Sequence, residues 1–341
     1  MEKYLKEKIR PFDPKRAINI EQTLIELQGC AFQGRNLGNA LEILYKMYLD
    51  KECARILTLS GAMVPAGMEE VINQGIERGV FSAIVTTGAN IIHSLVNSFE
   101  IENQQGHYIG NVYVDDAELH KLGINRIYDI YLPEPNYINA EMAIKNILLN
   151  EFGNGQVLIS PSKLFNIIGK KLKGRSFLKI AADNNIPIFC GATSDSEFGL
   201  NLMRYRREGS INIILDEIQD IQNYAELILK YKRHGTIIIG GGVPRNWAQQ
   251  IFPYLEQIEL RTKSQLTEFR EEHGSKWGFS YSVRIHTSTE YDGGLSGCTI
   301  EESKSWGKYK ADSLHQSIWA DATIIFPILM TSLFQRIDSN K

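Results

Sequence analysis

Short apolar or β-branched runs alternate along the chain with longer stretches whose apolar residues recur every three or four positions. The runs Arg55 to Leu59, Ala83 to Thr86, Arg126 to Leu132, Ile186 to Cys190, Ile211 to Leu215, Thr236 to Ile239 and Ser280 to Ile285 predict strands. The amphipathic stretches Gly67 to Glu77, Ala140 to Asn150, Ser162 to Lys171, Glu217 to Lys230 and Trp247 to Leu255 predict helices. Thr236-Ile237-Ile238-Ile239 has no polar side to alternate, as a strand covered on both faces requires. This order predicts an α/β fold with a doubly wound, mainly parallel sheet and helices on both faces. No Pro/Gly/Ser linker divides the middle of the chain and no period repeats. The expected organisation is therefore a helical N-terminal extension, residues 1–50, followed by one catalytic α/β domain, residues 51–341.

Composition changes this picture little. With 341 residues, 43% hydrophobic, the chain can bury a large core without metal or disulfide staples. A net charge of −3 supplies no bulk positive field, so nucleic acid is not an expected partner. Met-Glu-Lys-Tyr-Leu-Lys-Glu-Lys at the start lacks a following apolar core, so no secretory signal is expected. No apolar run approaches the ~20 residues of a membrane span. Cys30, Cys53, Cys190 and Cys298 form no Cys-x-x-Cys pair and read as reduced, packed thiols, which predicts a cytoplasmic location. His107, His120, His234, His273, His286 and His315 show no metal-ligand spacing, and no metal is expected.

In sheets of this kind ligands bind beyond the carboxyl ends of the strands. Ser60-Gly61-Ala62-Met63-Val64-Pro65-Ala66-Gly67 follows the first strand with small residues that would let backbone N–H groups approach a dinucleotide phosphate. A tight strand-to-helix turn explains that loop equally simply, because it is not a Gly-x-Gly-x-x-Gly fingerprint. Thr86-Thr87-Gly88-Ala89-Asn90 and Gly240-Gly241-Gly242-Val243-Pro244 end two further strands, and the three loops together favour a nucleotide crevice.

The densest polar stretch runs from Thr287 to Gly297 and on through Glu301-Glu302-Ser303-Lys304-Ser305-Trp306-Gly307-Lys308. Were Ile300 to Lys308 an ordinary surface helix, Trp306 would be an odd exposed residue and Gly307 would weaken it. A lysine beside an aromatic wall and partly desolvated can act as an amine nucleophile toward carbonyls or imines. A solvated lysine at a helix end is the plainer reading of Lys308 from these residues alone.

Five segments together resemble the deoxyhypusine synthase family, NAD-dependent enzymes that move an aminobutyl group between amines. They are Leu59 to Gly67, Val85 to Asn90, Leu122-Gly123-Ile124-Asn125-Arg126-Ile127, Ile239 to Pro244 and Ser303 to Lys308. The resemblance implies a Rossmann-like NAD-binding fold, a homotetramer, and an alkyl-group transferase working on small amines. It nominates Lys308 as the residue that carries a covalent imine. It places NAD against Gly61, Ala62, Met63, Val64, Pro65, Thr87, Gly88, Ala89, Asp195, Gly241, Thr287, Ser288, Asp321 and Ala322. It places the amine against Glu302, Trp306, Gly293 and Gly294, with Trp306 facing a cation and Glu302 holding an ammonium group.

The departures from the family are as informative. Leu200 and Leu295 stand where acids line the amine tunnel, Ile92-His93 where the family has an acidic pair, and Asn246 where it has a histidine. His93 reads either as a tunnel residue or as a histidine satisfied within a helix. Pro253 to Lys276 lengthens the link that follows the triple glycine. These changes resemble the bacterial deoxyhypusine synthase-like branch, and they imply a small polyamine or agmatine-like acceptor in preference to a protein. Two further readings stay open: deoxyhypusine synthesis on a lysine of translation initiation factor 5A, and an NAD-binding homologue without turnover.

Overall fold

A computed structural model describes residues 5–99, 106–259 and 277–340. Its contacts divide the chain into two units, Met1–Thr58 with Ile228–Lys341, and Leu59–Leu227. The first unit opens with α1 (Ile20–Gln28), capped by Asn19, whose side chain accepts the Gln22 N–H at 2.8 Å. Next, α2 (Phe32–Leu49) buries Leu37, Ala40, Leu41, Leu44 and Met47 along one stripe, and β1 (Cys53–Leu59) follows.

The second unit runs through α3 (Glu69–Glu77), β2 (Ala83–Thr86), α4 (Gly88–Ser98), β3 (Tyr108–Ile109), α5 (Asp116–Lys121), β4 (Ile124–Ile127), β5 (Ile130–Pro133) and α6 (Glu134–Phe152). It continues through β6 (Gln156–Ile159), α7 (Pro161–Lys171), α8 (Phe177–Asp183), β7 (Ile188–Cys190), α9 (Glu197–Arg207), β8 (Asn212–Leu215) and α10 (Glu217–Leu229). Hydroxyl caps set several helix starts: Thr87, Ser160, Ser176 and Ser196 each accept a backbone N–H three residues on. Strand β2 pairs with β7 and β6 with β8, both in parallel. The stretch Arg126 to Leu132, expected as one strand, is instead the turn of an antiparallel ribbon. Tyr128 takes a positive φ of 51°, the chain reverses, and Ile127 faces Ile130 across β4 and β5.

The first unit resumes with β9 (Arg233–Ile239), α11 (Gly242–Glu259), β10 (Phe279–His286), α12 (Ile300–Ser305), β11 (Tyr309–Trp319) and α13 (Ala322–Ser339). Its strands lie in the order β11-β10-β9-β1, and the pairs β9/β10 and β10/β11 are parallel. Helix α2 packs on β10 and β11, and α13 packs on α1 and α2. The fold class is α/β with mainly parallel strands, as the alternation predicts. Residues 260–276 of the lengthened link lie outside the described residues. Among the described residues no helix is long and apolar enough to cross a membrane.

The contact between α2 and β9 leaves no spare volume. A Cβ added at Gly235 would sit 2.2 Å from Met47 Sδ and 3.3 Å from Cys53 Sγ. Gly235→Ala is expected to destabilise the fold by ~1–3 kcal/mol through overpacking, seen in calorimetry as a thermal midpoint several degrees lower.

Candidate active site

The polar stretch around Trp306 owes its shape to a helix cap. Thr299 accepts the Glu302 N–H at 3.0 Å and starts α12. At the other end the Gly307 N–H donates to Lys304 O at 2.9 Å and the Lys308 N–H to Ser303 O at 3.2 Å, with Gly307 at φ 71°. This pair of bonds over a left-handed glycine is a Schellman cap. The helix therefore ends at Ser305, and Gly307, expected to weaken it, terminates it. Trp306 occupies the cap and Lys308 leads directly into β11.

Lys308 is 7% exposed. Its Nζ donates to Asn246 Oδ1 at 3.0 Å and lies 5.6 Å from the centre of the Trp306 ring. Among the described residues no carboxylate forms an ion pair with it. Burial pushes the Lys308 amine below its ordinary value, the charge of Arg245 adds to this, and Cys298 and Glu302 oppose it. Trp306 is 61% exposed, so one face of the ring stays open beside a half-desolvated amine. Glu302 is exposed on the first turn of α12.

The loop before α12 is held from within the unit. Arg245 Nη1 donates to Leu295 O at 3.3 Å and Cys298 O at 2.9 Å, and Arg245 Nη2 to Ser303 Oγ at 3.1 Å. A Cβ on Gly241 would meet Ser296 Cα at 2.9 Å, so the triple glycine lies directly against that loop. Gly293, Gly294 and Leu295 are exposed on it. Thr287 and Ser288 follow β10, whose last residue His286 pairs with Trp319 at the end of β11. Asp321, two residues beyond, caps α13 and accepts the Thr323 N–H at 2.8 Å. Thr287-Ser288 and Asp321-Ala322 thus share one edge of the sheet.

In the second unit one buried amide joins two of the glycine loops. Asn90 Oδ1 accepts the Val64 N–H at 3.1 Å, while its Nδ2 donates to Gly61 O at 2.9 Å and to Thr86 and Thr87 Oγ1 at 3.2 Å. Gly61, Ala62, Met63, Val64 and Pro65 are thereby tied to the start of α4, where Thr87, Gly88 and Ala89 lie. A Cβ on Gly88 would meet Ser196 Oγ at 2.3 Å, so the loop carrying Asp195 also abuts α4. Asp195 and Leu200 are exposed.

The deoxyhypusine synthase family profile matches residues 23–333. The chain belongs to the deoxyhypusine synthase family. It is 35% identical over 323 residues to a protein of Archaeoglobus fulgidus named "probable deoxyhypusine synthase 1", covering 94% of this chain and 96% of that one. It is 33% identical over 317 residues to the "deoxyhypusine synthase-like protein" of Chlorobaculum parvum, covering 91% and 85%. The crystal structure of a candidate deoxyhypusine synthase from Entamoeba histolytica shares the fold at a TM-score of 0.62 and 20% identity, over 96% of this chain and 97% of that one.

In this deoxyhypusine synthase family member His93 is buried on α4 and belongs to a directed hydrogen-bond chain. Glu69 accepts Ser94 Oγ at 2.5 Å, the Phe177 N–H at 3.0 Å and Asn97 Nδ2 at 2.9 Å. Asn97 must then present Oδ1 to His107 Nδ1 at 3.1 Å, which makes that nitrogen the donor. His107 Nε2 accepts from His93 Nδ1 at 2.9 Å, and His93 Nε2 faces the Tyr137 hydroxyl at 3.5 Å. Both histidines are neutral: burial pushes His93 down to about 3, with His107 adding to it, and His107 down to about 4. Burial pushes Glu69 up.

Several organising residues escaped the sequence reading. Asn90 closed one of the quoted motifs, which was its only signal. His107, Asn97, Glu69, Arg245 and Arg284 gave none, because their partners are distant in the chain.

Two outcomes follow from these arrangements. Gly307→Ala forces a β-carbon into a left-handed conformation and should cost ~1 kcal/mol or more, with a lower urea midpoint and a lower yield of any reaction at Lys308. The unfolded chain binds protons at its histidines near pH 6.5, the folded pair only near 3 and 4. The pair's contribution to stability is therefore complete above pH 6.5 and is lost as pH falls toward 4. Urea unfolding of His93→Gln/His107→Gln should show a shallower loss over that range, by up to ~1.4 kcal/mol per pH unit for each histidine.

Proposed function

We propose that this protein is an NAD-dependent alkylamine transferase that acts on small polyamines or agmatine-like amines through an imine on Lys308. The observation that carries the reading is the lysine itself: nearly buried, hydrogen-bonded through Nζ to a neutral amide, beside an open tryptophan ring, and without a carboxylate ion pair among the described residues. Such an amine gives up its proton more readily than an exposed lysine, which favours its use as a nucleophile.

The residues nominated for NAD suit it chemically. In the second unit the Asn90 bonds hold a small-residue loop beside a helix start of the kind that accepts phosphate. In the first unit Gly241 lies against Ser296 with no room for a Cβ, and Asp321 offers a carboxylate at a sheet edge. NAD, when bound, would supply reversible hydride acceptance from the amine-bearing carbon.

The chain's own residues account for the remaining steps. Glu302 holds the distal ammonium and Trp306 lines the alkyl stem and faces its cation. Lys308 Nζ attacks the carbon of the substrate imine, a new C–N bond forms, and the first amine departs with the proton that Lys308 gives up. A second amine then attacks the Lys308 imine and restores the free lysine. Asn246 orients Nζ but, as an amide, takes no proton. We assign the protein to the cytoplasm from its free cysteines, and to a homotetramer by its family resemblance.

A second reading, deoxyhypusine synthesis on a translation-factor lysine, is supported by the names of relatives such as that of Archaeoglobus fulgidus. Leu200, Leu295 and Asn246 weigh against it, and a protein acceptor tested in parallel with small amines decides between them. The first test is mass spectrometry after incubation with NAD, one amine at a time, and borohydride. An alkyl mass on the Lys308 peptide, absent from Lys308→Ala, is expected. Measurable NAD binding with no adduct from any amine would favour a homologue without turnover.

A further inference from the structure

Two of the bulkiest buried side chains in the first unit are Arg245 and Arg284, each 1% exposed. Buried cations are ordinarily paired with carboxylates. Among the described residues neither guanidinium has one. Arg284 Nη1 donates to Cys298 O at 2.8 Å, Nη2 to Ser296 O, and Nε to Gly240 O at 3.3 Å. Arg245 Nη1 donates to the same Cys298 carbonyl at 2.9 Å. Two like charges thus converge on one backbone oxygen, their N–H groups satisfied mainly by carbonyl dipoles that carry no net charge to offset them.

The arrangement leads straight to Lys308. Ser303 Oγ accepts from Arg245 Nη2, while Ser303 O accepts the Lys308 N–H. Asn246, which holds Nζ, is the residue after Arg245. We infer that Arg245 and Arg284 are positioning residues for Lys308: together they clamp residues 295–298 and the start of α12, and Arg245, hydrogen-bonded to Ser303 and preceding Asn246, sets a buried cation beside the lysine. This rests on the reading of Lys308 as the nucleophile.

The charged and titratable groups around the pair point the same way. Burial first, and then Arg245, push Arg284 down to about 10, a value at which it is still a cation at neutral pH, with Tyr309 and Cys298 opposing. Burial, Arg284 and Arg245 push the nearby His286 down to about 4, so that it adds no charge at neutral pH. At Lys308 the Arg245 charge acts with burial, and only Cys298 and Glu302 act against them.

The experiment is competitive acetylation of the full-length protein across pH, read by peptide mass spectrometry, with neither amine nor NAD present. The midpoint reports the proton affinity of each lysine and the plateau its accessibility, and exposed Lys121 serves as the internal reference. The Lys308 midpoint is expected well below that of Lys121. Arg245→Met should raise it, each unit lowering the free-amine fraction at pH 8 about tenfold, and Arg245→Lys, which keeps the charge, should raise it less. A wild-type Lys308 midpoint equal to that of Lys121 overturns the inference and needs no variant that might fail to fold. So does a folded Arg245→Met protein whose midpoint is unmoved. Because no substrate is used, loss of this result and loss of the imine adduct are separate outcomes.

Discussion

The carbonyl oxygen of Cys298 is the point on which the lysine site depends. It accepts two buried guanidinium groups, and everything between it and Lys308 follows in a few residues. Thr299, next in the chain, caps α12, and Ser303 on α12 receives Arg245 and supplies the carbonyl that closes the cap at Lys308. Gly297 allows the close turn on which this rests, since a Cβ there would meet Asp292 O at 2.4 Å and Thr289 O at 2.6 Å. A side chain at any of these positions that moved the loop by an ångström would move the start of β11, and with it Nζ, by a similar amount. Backbone geometry thus fixes the Lys308 Cα, and the Asn246 side chain holds Nζ at the end of the flexible stem.

The two units solve the problem of buried charge in opposite ways. In the second, the carboxylate of Glu69 is satisfied by a hydroxyl, an amide and a backbone N–H, and the chain beyond it through Asn97, His107 and His93 is neutral and directed. In the first, two cations are satisfied largely by neutral carbonyls. Hydrogen bonds meet the local demand in both cases, but only a counter-ion cancels the long-range field. Burial still pushes the Glu69 carboxyl up, so its charge is given up more readily as pH falls, whereas the charge of Arg245 acts on its ionisable neighbours Arg284, His286 and Lys308.

Much of the fold could be read from local pattern. Strands that are apolar throughout, such as Ile237 to Ile239, and helices with one apolar stripe, such as α7 and α10, declare themselves. Helix α13 does not, because Ile325, Phe326, Ile328, Leu329, Leu333 and Phe334 surround its axis and Pro327 interrupts it, which erases the 3.6-residue contrast. Strand β11 was equally silent: Lys310, Asp312, His315 and Gln316 give it a polar face without regular alternation. At the site, Trp306 and Gly307 stand out as odd choices for a surface helix, but Lys308 is nominated by the family resemblance alone, and the cap that gives Gly307 its place has no local signal. Asn90 and the arginines lay beyond local reading because their roles are defined by carbonyls and amides distant in sequence, which leave no periodicity.

The substitutions at the amine positions follow a single electrostatic logic. A carboxylate beside an amine site lowers the cost of bringing in a cation, and it also raises the proton affinity of a neighbouring lysine. Leu295 can do neither, and Asn246 meets Lys308 Nζ with a dipole in place of an ionisable ring. Among the described residues the carboxylate that acts on Lys308 is Glu302, and it is exposed to water, where its field is screened. Removing acids therefore narrows the range of cations that can be held while leaving the lysine more readily a free base. Under the proposed placement on Trp306 and Glu302, a substrate with one terminal cation would lose little by the change. A longer polyamine needing a second anchor would lose much, because its inner ammonium would be desolvated against leucine without compensation.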